Sequence, residues 1–197
     1  WHVYISEGGG MLYDWGVHLI DQILFMMPEA KITSIYADVR NVINFEVDDY
    51  FKILLRFDNH VMAEVELGTY LLADKPQDKW FERHWIMSGN KGTAYVDGFE
   101  PEGKIVRTTE LLTNVRGSRT MTAAGPTRSF GPPAPGKIIT EDVPKVNTCH
   151  RDYFENYKKA YYGEEDFLVK IPETRRVLAV MDAVRKSAET GKSVDFE

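Results

Sequence analysis

The sequence predicts an α+β fold with two layers (α/β two-layer): an open, predominantly antiparallel mixed sheet with helices packed on one face. Several short segments alternate apolar and polar residues, as strands do when one face is buried. Short turn sequences separate these segments, which favours antiparallel pairing. Apolar residues at helical spacing occur near both ends of the chain, where they predict the helices that cover the sheet.

Composition limits the domain count and the class of protein. The chain has 197 residues, of which 43% are hydrophobic, and no linker-like segment divides it, so we expect one domain over residues 1–197. The net charge of −6 and the absence of a basic stripe argue against a nucleic-acid partner. Because no run of 18 apolar residues occurs, we expect no membrane span. The single Cys149 excludes an intrachain disulfide and indicates a reducing compartment, which we take to be the cytoplasm.

The first helix is predicted over residues 11–27. It follows a run of glycines at 8–10 and ends before Pro28, which cannot continue a helix. The apolar stripe predicted to face the sheet consists of Leu12, Trp15, Leu19, Ile23 and Met26.

The middle of the chain predicts the strands. Alternation over 50–57 and 61–67, with Asp58-Asn59 between them, predicts a hairpin, and residues 35–40 predict the strand before it. A second hairpin is predicted at residues 84–87 and 93–96, and residues 105–112 predict a further strand. The opposite face of this predicted sheet is mixed, because it carries both charged and aromatic side chains. These residues are Tyr36, Tyr50, Lys52, Arg56, Glu64, Glu66 and Tyr70.

Glycine and proline recur throughout residues 113–147, and we interpret this segment as a long irregular loop. Two helices then close the chain. The first is predicted over residues 148–162, and the second begins at Pro172, a first-turn position, and ends at Gly191.

Asp14 and His18 are the candidate catalytic residues. A spacing of four places both side chains on one face of a helix, one turn apart. The carboxylate could orient the imidazole, which could then take a proton from a substrate hydroxyl near neutral pH. Two alternatives remain: a solvated i,i+4 surface pair, and a hard-metal site formed with Asp21, for which no second cluster of ligands is visible.

The glycine run lacks the features of a dinucleotide fingerprint. Tyr13 stands where the third glycine of Gly-x-Gly-x-x-Gly would be required, and no Walker lysine follows. We interpret the glycines as permitting tight passage of the backbone into the helix. We therefore predict no cofactor-binding residue and no metal site in this chain.

Three segments in order resemble the C-terminal domain of the Gfo/Idh/MocA oxidoreductases. They are GGGMLYDWGVHLID at residues 8–21, MSGNKGTAYVDG at 87–98, and the segment from HRDYFENYKK to ETGKSV at 150–194. This resemblance implies a two-domain enzyme in which an N-terminal Rossmann domain holds NAD or NADP and this chain forms the substrate side of the cleft. It further implies that His18 exchanges the hydroxyl proton and that Asp14 orients His18.

The family's catalytic lysine belongs to a Glu-Lys-Pro motif in the Rossmann domain, and no such motif occurs in this chain. Together with a start at Trp1 and no secretory leader, this predicts an isolated substrate domain that is inactive alone. Its partners would be the N-terminal Rossmann domain, a sugar, inositol or other polyol, and a second subunit on the mixed sheet face, with no nucleic acid or membrane. The alternatives are an NAD-dependent glycosidase of the same family and a non-catalytic binding or oligomerisation module, in which His18 would be dispensable.

Overall fold

Two compact units make up the chain. In the computed structural model, residues 1–72, 84–97, 102–111, 117–129 and 136–196 are described. Unit 1 combines Trp1–Asp74 with Cys149–Glu197, and unit 2 is Lys75–Thr148. The assignment of residues 1–197 to one substrate-binding domain remains a prediction.

A four-stranded sheet is the framework of unit 1. Its strand order is β10-β1-β2-β3, and every described pairing in it is antiparallel. The hairpin predicted around Asp58-Asn59 is confirmed, and the C-terminal strand is added at the other edge of the sheet. The strands are β1 (Ile32–Arg40), β2 (Tyr50–Phe57), β3 (Met62–Gly68) and β10 (Val194–Asp195).

The register of this sheet separates an apolar face from a mixed face. Ala37, Ile53 and Val65 are neighbours across three strands, and all three are buried. One residue further along, Asp38, Lys52 and Glu66 are neighbours on the opposite face. Because side chains alternate along a strand, this register directs every second residue into the core.

Helices cover the apolar face of the sheet, as predicted. Helix α1 (Val17–Met26) and helix α3 (Ile171–Thr190) pack against each other and against strands of the sheet. Helix α2 (His150–Tyr161) buries only Ala160. Helix α3 ends at Gly191 as predicted, where a φ of 65° suits glycine. None of the described helices has the length and apolar character needed to cross a membrane.

One π-helical turn, Leu12–Gly16, precedes α1 and rotates its buried face. The predicted stripe is therefore partly wrong, since Met26 is exposed and the buried positions are Leu12, Gly16, Ile20, Ile23 and Leu24. A π turn holds more residues than an α turn, so positions counted at α-helical spacing across it fall out of phase.

Unit 2 contains a second four-stranded antiparallel sheet, in the order β4-β5-β6-β9, and a separate hairpin, β7-β8. The hairpin predicted around Asn90-Lys91 is confirmed as β4 and β5. The strands are β4 (His84–Gly89), β5 (Gly92–Asp97), β6 (Glu102–Thr108), β7 (Ser118–Thr122), β8 (Gly125–Ser129) and β9 (Ile138–Asp142).

The interpretation of residues 113–147 as one irregular loop is wrong for the described part of that segment. It contains β7, β8 and β9. Gly125, with a φ of 109°, opens β8 directly after the turn, where the backbone needs a left-handed residue. Strand β9 pairs with β6 through residues distant in sequence, and local composition does not report such pairing.

A buried carboxylate, Asp49, organises the connection between β1 and β2. Its side chain accepts hydrogen bonds from the backbone amides of Val42 (2.7 Å), Ile43 (2.8 Å) and Asn44 (2.6 Å). Burial alone would raise the pKa of Asp49, but these donors favour the charged form, so the pKa lies below its ordinary value.

Substitution of Asp49 by Asn will destabilise unit 1. An Asn side chain presents an NH₂ group to amide donors, so we expect a loss of about 2–4 kcal/mol in the free energy of unfolding at pH 7. Because the folded-state pKa is depressed, the contribution of Asp49 is present above its unfolded pKa and is lost as the pH falls below about 4.

Urea unfolding of the whole chain at several pH values measures this effect. Asp49→Asn should show a smaller loss of stability on acidification than the wild type. Asp182→Asn, an exposed carboxylate on α3, is the control and should follow the wild type. Equal acid sensitivity of the Asp49→Asn variant and the wild type would contradict this role.

Candidate functional site

Asp14 lies in the π-helical turn with its side chain 20% exposed, and its described partner is His2. The Oδ2 atom of Asp14 is 2.7 Å from Nδ1 of His2. A carboxylate can only accept, so Nδ1 carries the proton in this hydrogen bond. The Asp14 side chain is therefore held from the segment before the glycine run, twelve residues earlier in the chain.

His18, the other predicted catalytic residue, lies in the first turn of α1 and is exposed. Its ring contacts Trp15 edge to face, with ring centroids 6.5 Å apart. The described hydrogen bonds of Asp14 do not include one to His18. The catalytic roles of Asp14 and His18 stay predictions, whereas the contact that the structure shows for Asp14 is with His2.

The glycine run allows residues 1–4 to fold back against it. The Gly9 amide donates to the carbonyl of Tyr4 (3.0 Å), and the Gly10 amide donates to the carbonyl of His2 (3.0 Å). A Cβ atom at Gly9 would lie 2.5 Å from the carbonyl oxygen of His2, which is too close for any side chain. Glycine is thus required at position 9 by the close approach of the backbone that carries His2.

The backbone amides of this loop already have acceptors within the protein. Gly8 donates to Ile5, and Met11 donates to the carbonyl of Asp48 (2.8 Å). The Leu12 amide donates to Oδ2 of Asp48 (2.7 Å). With the amides of Gly9 and Gly10 also paired, five consecutive amides are occupied and none is free to bind a phosphate group, unlike those of a dinucleotide loop.

Asp48 anchors the beginning of the helical segment. The residue is only 7% exposed, and both its main chain and its carboxylate accept hydrogen bonds from the first amides of the turn. Gly10 has a φ of 116°, and a Cβ there would lie 2.5 Å from Oδ1 of Asp48. Asp48 therefore acts as a helix cap supplied from outside the helix, and it fixes the turn that carries Asp14.

Arg185 on α3 completes this cluster. One of its guanidinium nitrogens lies 3.7 Å from Oδ1 of Asp48, and its guanidinium carbon lies 4.2 Å from the centre of the Tyr13 ring. An open cleft of about 470 Å³ adjoins these residues and is also lined by Gly8, Gly9 and Glu46. Neither Asp14 nor His18 lines this cleft, so it is not the surface on which the predicted catalytic pair stands.

The metal alternative with Asp21 has no support in the part of the chain that the structure describes. Within the described ranges, no group of three or more His, Cys, Asp or Glu side chains is placed to hold a metal ion.

Two residues of this site, His2 and Asp48, could not be found by helical spacing. His2 lies twelve residues and Asp48 lies thirty-four residues from Asp14 in sequence. The one signal for Asp48 is its position in the Asp48-Asp49 pair directly before a strand, where apolar residues alternate. Buried carboxylates at such a position generally have specific donors.

The sequence model of the GFO/IDH/MocA C-terminal domain matches residues 1–95. The first 95 residues, a little under half of the chain, thus match the C-terminal domain of the GFO/IDH/MocA family. The matched segment contains all of the glycine run, the π-helical turn, α1 and the three long strands of the unit 1 sheet.

Two curated relatives of this chain are oxidoreductases. The chain is 25% identical to an uncharacterized oxidoreductase of Schizosaccharomyces pombe, with all of this chain and 55% of that protein aligned. It is 24% identical to scyllo-inositol 2-dehydrogenase (NADP(+)) IolW of Bacillus subtilis, with all of this chain and 52% of that protein aligned. The chain thus spans about half the length of the curated relatives that it matches.

A solved structure shares the fold over almost the whole chain. The NAD-binding protein from Listeria innocua is 28% identical with a TM-score of 0.82, and the match covers 99% of this chain and 54% of that protein. The α+β fold and the family assignment predicted from the sequence are confirmed.

Removal of the Asp48 carboxylate will loosen the turn that carries Asp14. Asp48→Ala leaves the Leu12 amide without its acceptor, so we expect a loss of about 2–3 kcal/mol in the free energy of unfolding. Asp48→Asn keeps an oxygen for that amide and should lose about half as much.

Urea unfolding of both variants, with Asp182→Ala as an exposed control, measures this difference. Equal losses for Asp48→Asn and Asp48→Ala would show that the charge of Asp48, and not the hydrogen bond to Leu12, carries the effect.

Proposed function

We propose that this chain is the substrate-binding and proton-exchanging part of an NAD(P)-dependent dehydrogenase that acts on a secondary alcohol of a sugar, an inositol or a related polyol. The observation that carries the proposal is a half-buried carboxylate, Asp14, held on a rigid turn that leads directly into a helix with an exposed imidazole, His18. Family membership and two relatives that are oxidoreductases support it.

Proton transfer is the step that these residues are proposed to perform. In the oxidation direction, the neutral imidazole of His18 accepts the hydroxyl proton of the substrate as the carbonyl bond forms. When bound, the nicotinamide supplies the hydride acceptor for the carbon atom. Asp14, fixed through the cap at Asp48 and the bond to His2, provides a negative charge close to the imidazolium that develops.

The nicotinamide would be held by the part of the protein beyond this chain. The amides of the glycine run are paired within the chain, so this loop does not offer the phosphate contacts that a dinucleotide requires. A cofactor is supported by the NAD-binding protein of similar fold and by the NADP(+) in the name of the Bacillus subtilis relative. We accordingly expect the chain alone to be inactive.

The polyol class of substrate rests on the scyllo-inositol dehydrogenase relative, which is 24% identical. A dehydrogenase, rather than an NAD-dependent glycosidase of the same family, is favoured by this relative. The proposal also includes a reducing, cytoplasmic compartment, which the single exposed Cys149 supports.

A second copy of the chain is the proposed partner of the mixed sheet face. Lys52 at the centre of this face pairs with Glu64 (2.7 Å) and Glu66 (3.3 Å), and Tyr50 donates to Glu66 (3.0 Å). The face also exposes Tyr36 (44%). Tyrosine is enriched in subunit interfaces, and complementary charges at such a surface fix the register of the two subunits.

His18→Ala in the full-length protein should abolish most turnover. Loss of a positioned proton acceptor lowers kcat by about 10²–10⁴-fold, and the rise of the oxidation rate with pH should disappear with it. The measurement is nicotinamide reduction followed by absorbance, with inositols, other polyols and aldoses and with both NAD⁺ and NADP⁺.

The matched control is His150→Ala, an exposed histidine at the start of α2, which should keep wild-type kcat. Wild-type kcat in His18→Ala would contradict the proton-transfer role. Absence of nicotinamide-dependent turnover by the full-length wild type with every substrate would contradict the dehydrogenase itself.

Leu54→Glu tests the proposed subunit interface. Leu54 lies between Tyr36 and Glu64 on the mixed face, so a new carboxylate there places a like charge beside Glu64 in a desolvated contact. Light scattering of the full-length protein should show a smaller assembly than the wild type. Ile43→Glu, an exposed loop position, is the control, and a monomeric wild type at high concentration would contradict the interface.

A further inference from the structure

The hydrogen bond between His2 and Asp14 has a consequence for the reaction, if the proposed function holds. The bond length of 2.7 Å is that of a charge-assisted hydrogen bond. It engages only Oδ2 of Asp14, and no described residue donates a hydrogen bond to Oδ1. The carboxylate thus has one oxygen held by His2 and one oxygen to which no described residue donates.

The position of His2 is determined by several contacts other than its hydrogen bond to Asp14. Its carbonyl accepts from the Gly10 amide at 3.0 Å, and its ring stacks on Trp1 with centroids 4.0 Å apart. The absence of a Cβ at Gly9 permits this approach, because such an atom would meet the carbonyl oxygens of His2 and Trp1 at 2.5 and 2.6 Å. A glycine at position 9 is therefore required for the placement of His2.

We propose that His2 is a positioning residue, which holds the Asp14 carboxylate in the orientation that the proton transfer at His18 requires. A side chain in a half-buried turn has several rotamers, and a bond from a fixed donor selects one of them. His2 is 51% exposed itself, so its contribution lies in the bond to Asp14 and not in burial of its ring. Gly9 contributes to the same positioning, because the absence of a side chain there leaves room for the backbone of His2.

The imidazoles of His2 and His18 have different roles in this scheme. The Nδ1–H group of His2 donates a hydrogen bond to Asp14. His18, in contrast, is exposed and exchanges its proton with the substrate. An Asn side chain at position 2 can supply an N–H donor in place of Nδ1 but cannot exchange a proton at neutral pH. This difference separates a positioning role from a proton-transfer role.

Steady-state kinetics of the full-length protein test the proposal. His2→Ala should lower kcat about tenfold, the size expected for loss of one hydrogen bond to a charged group, with the KM for the nicotinamide unchanged. His2→Asn should restore kcat to within about twofold of wild type and keep the wild-type pH profile.

Gly9→Ala should lower kcat through the same route, so that adding it to His2→Ala causes no further loss. The matched control is Gly89→Ala, since a Cβ at Gly89 meets no atom within 4 Å. If His2→Ala folds poorly, His2→Asn still tests the proposal, because a kcat far below wild type in a variant that retains the donor contradicts a positioning role.

The remaining outcomes overturn the inference in distinguishable ways. Wild-type kcat in His2→Ala, with His18→Ala inactive, removes the role of His2 and leaves the proposed function intact. Equal losses in His2→Asn and His2→Ala, with a changed pH profile, make His2 a proton-transfer group instead. No nicotinamide-dependent turnover in the wild type overturns the proposed function and this inference together.

Discussion

The hydrogen bonds that the first amides of the helical segment donate to Asp48 are the constraint on which the candidate site depends. A helix that begins with a π turn after three glycines has no cap of its own, and its first amides need acceptors from elsewhere. Asp48 supplies two of them, one from its main chain and one from its carboxylate. Because only Asp49 separates Asp48 from β2, the sheet fixes the helix start, and the helix start in turn fixes Asp14.

The glycine run is explained by what lies against it. Gly9 meets the backbone of residues 1 and 2, and Gly10 meets the carboxylate of Asp48, at distances that leave no room for a side chain. The glycine run, which at first suggests a phosphate-binding loop, instead packs against the backbone of residues 1 and 2 and the carboxylate of Asp48. The amides of the run are paired within the chain, so the run itself does not offer the contacts of a phosphate loop.

Much of the fold follows from local sequence patterns, and the departures have physical causes. The alternation around Asp58-Asn59 and Asn90-Lys91 predicts both hairpins, because each strand buries one face and each turn is short. The helical stripe goes out of phase at the π turn, which no apolar periodicity reveals. The described part of segment 113–147 forms strands despite its glycines and prolines, since β9 gains its partner, β6, from about thirty residues away in sequence.

The residues of the candidate site also differ in whether the sequence alone reveals them. Asp14 and His18 can be chosen from their spacing and from resemblance to the family, whereas His2 and Asp48 are brought to Asp14 only by the folded chain. A spacing rule assumes that a carboxylate pairs along its own helix, but a donor outside the helix competes for it. Here the outside donor, His2, is the one that the structure pairs with Asp14.

A structure of the full-length protein with oxidised nicotinamide and a bound polyol tests directly whether His18 exchanges a proton with the substrate. We expect a substrate hydroxyl within about 3 Å of a ring nitrogen of His18. We also expect that Oδ2 of Asp14 stays on Nδ1 of His2 and that the cofactor phosphates lie on residues outside this chain. A polyol bound away from His18, or phosphates seated on the glycine run, would contradict these expectations.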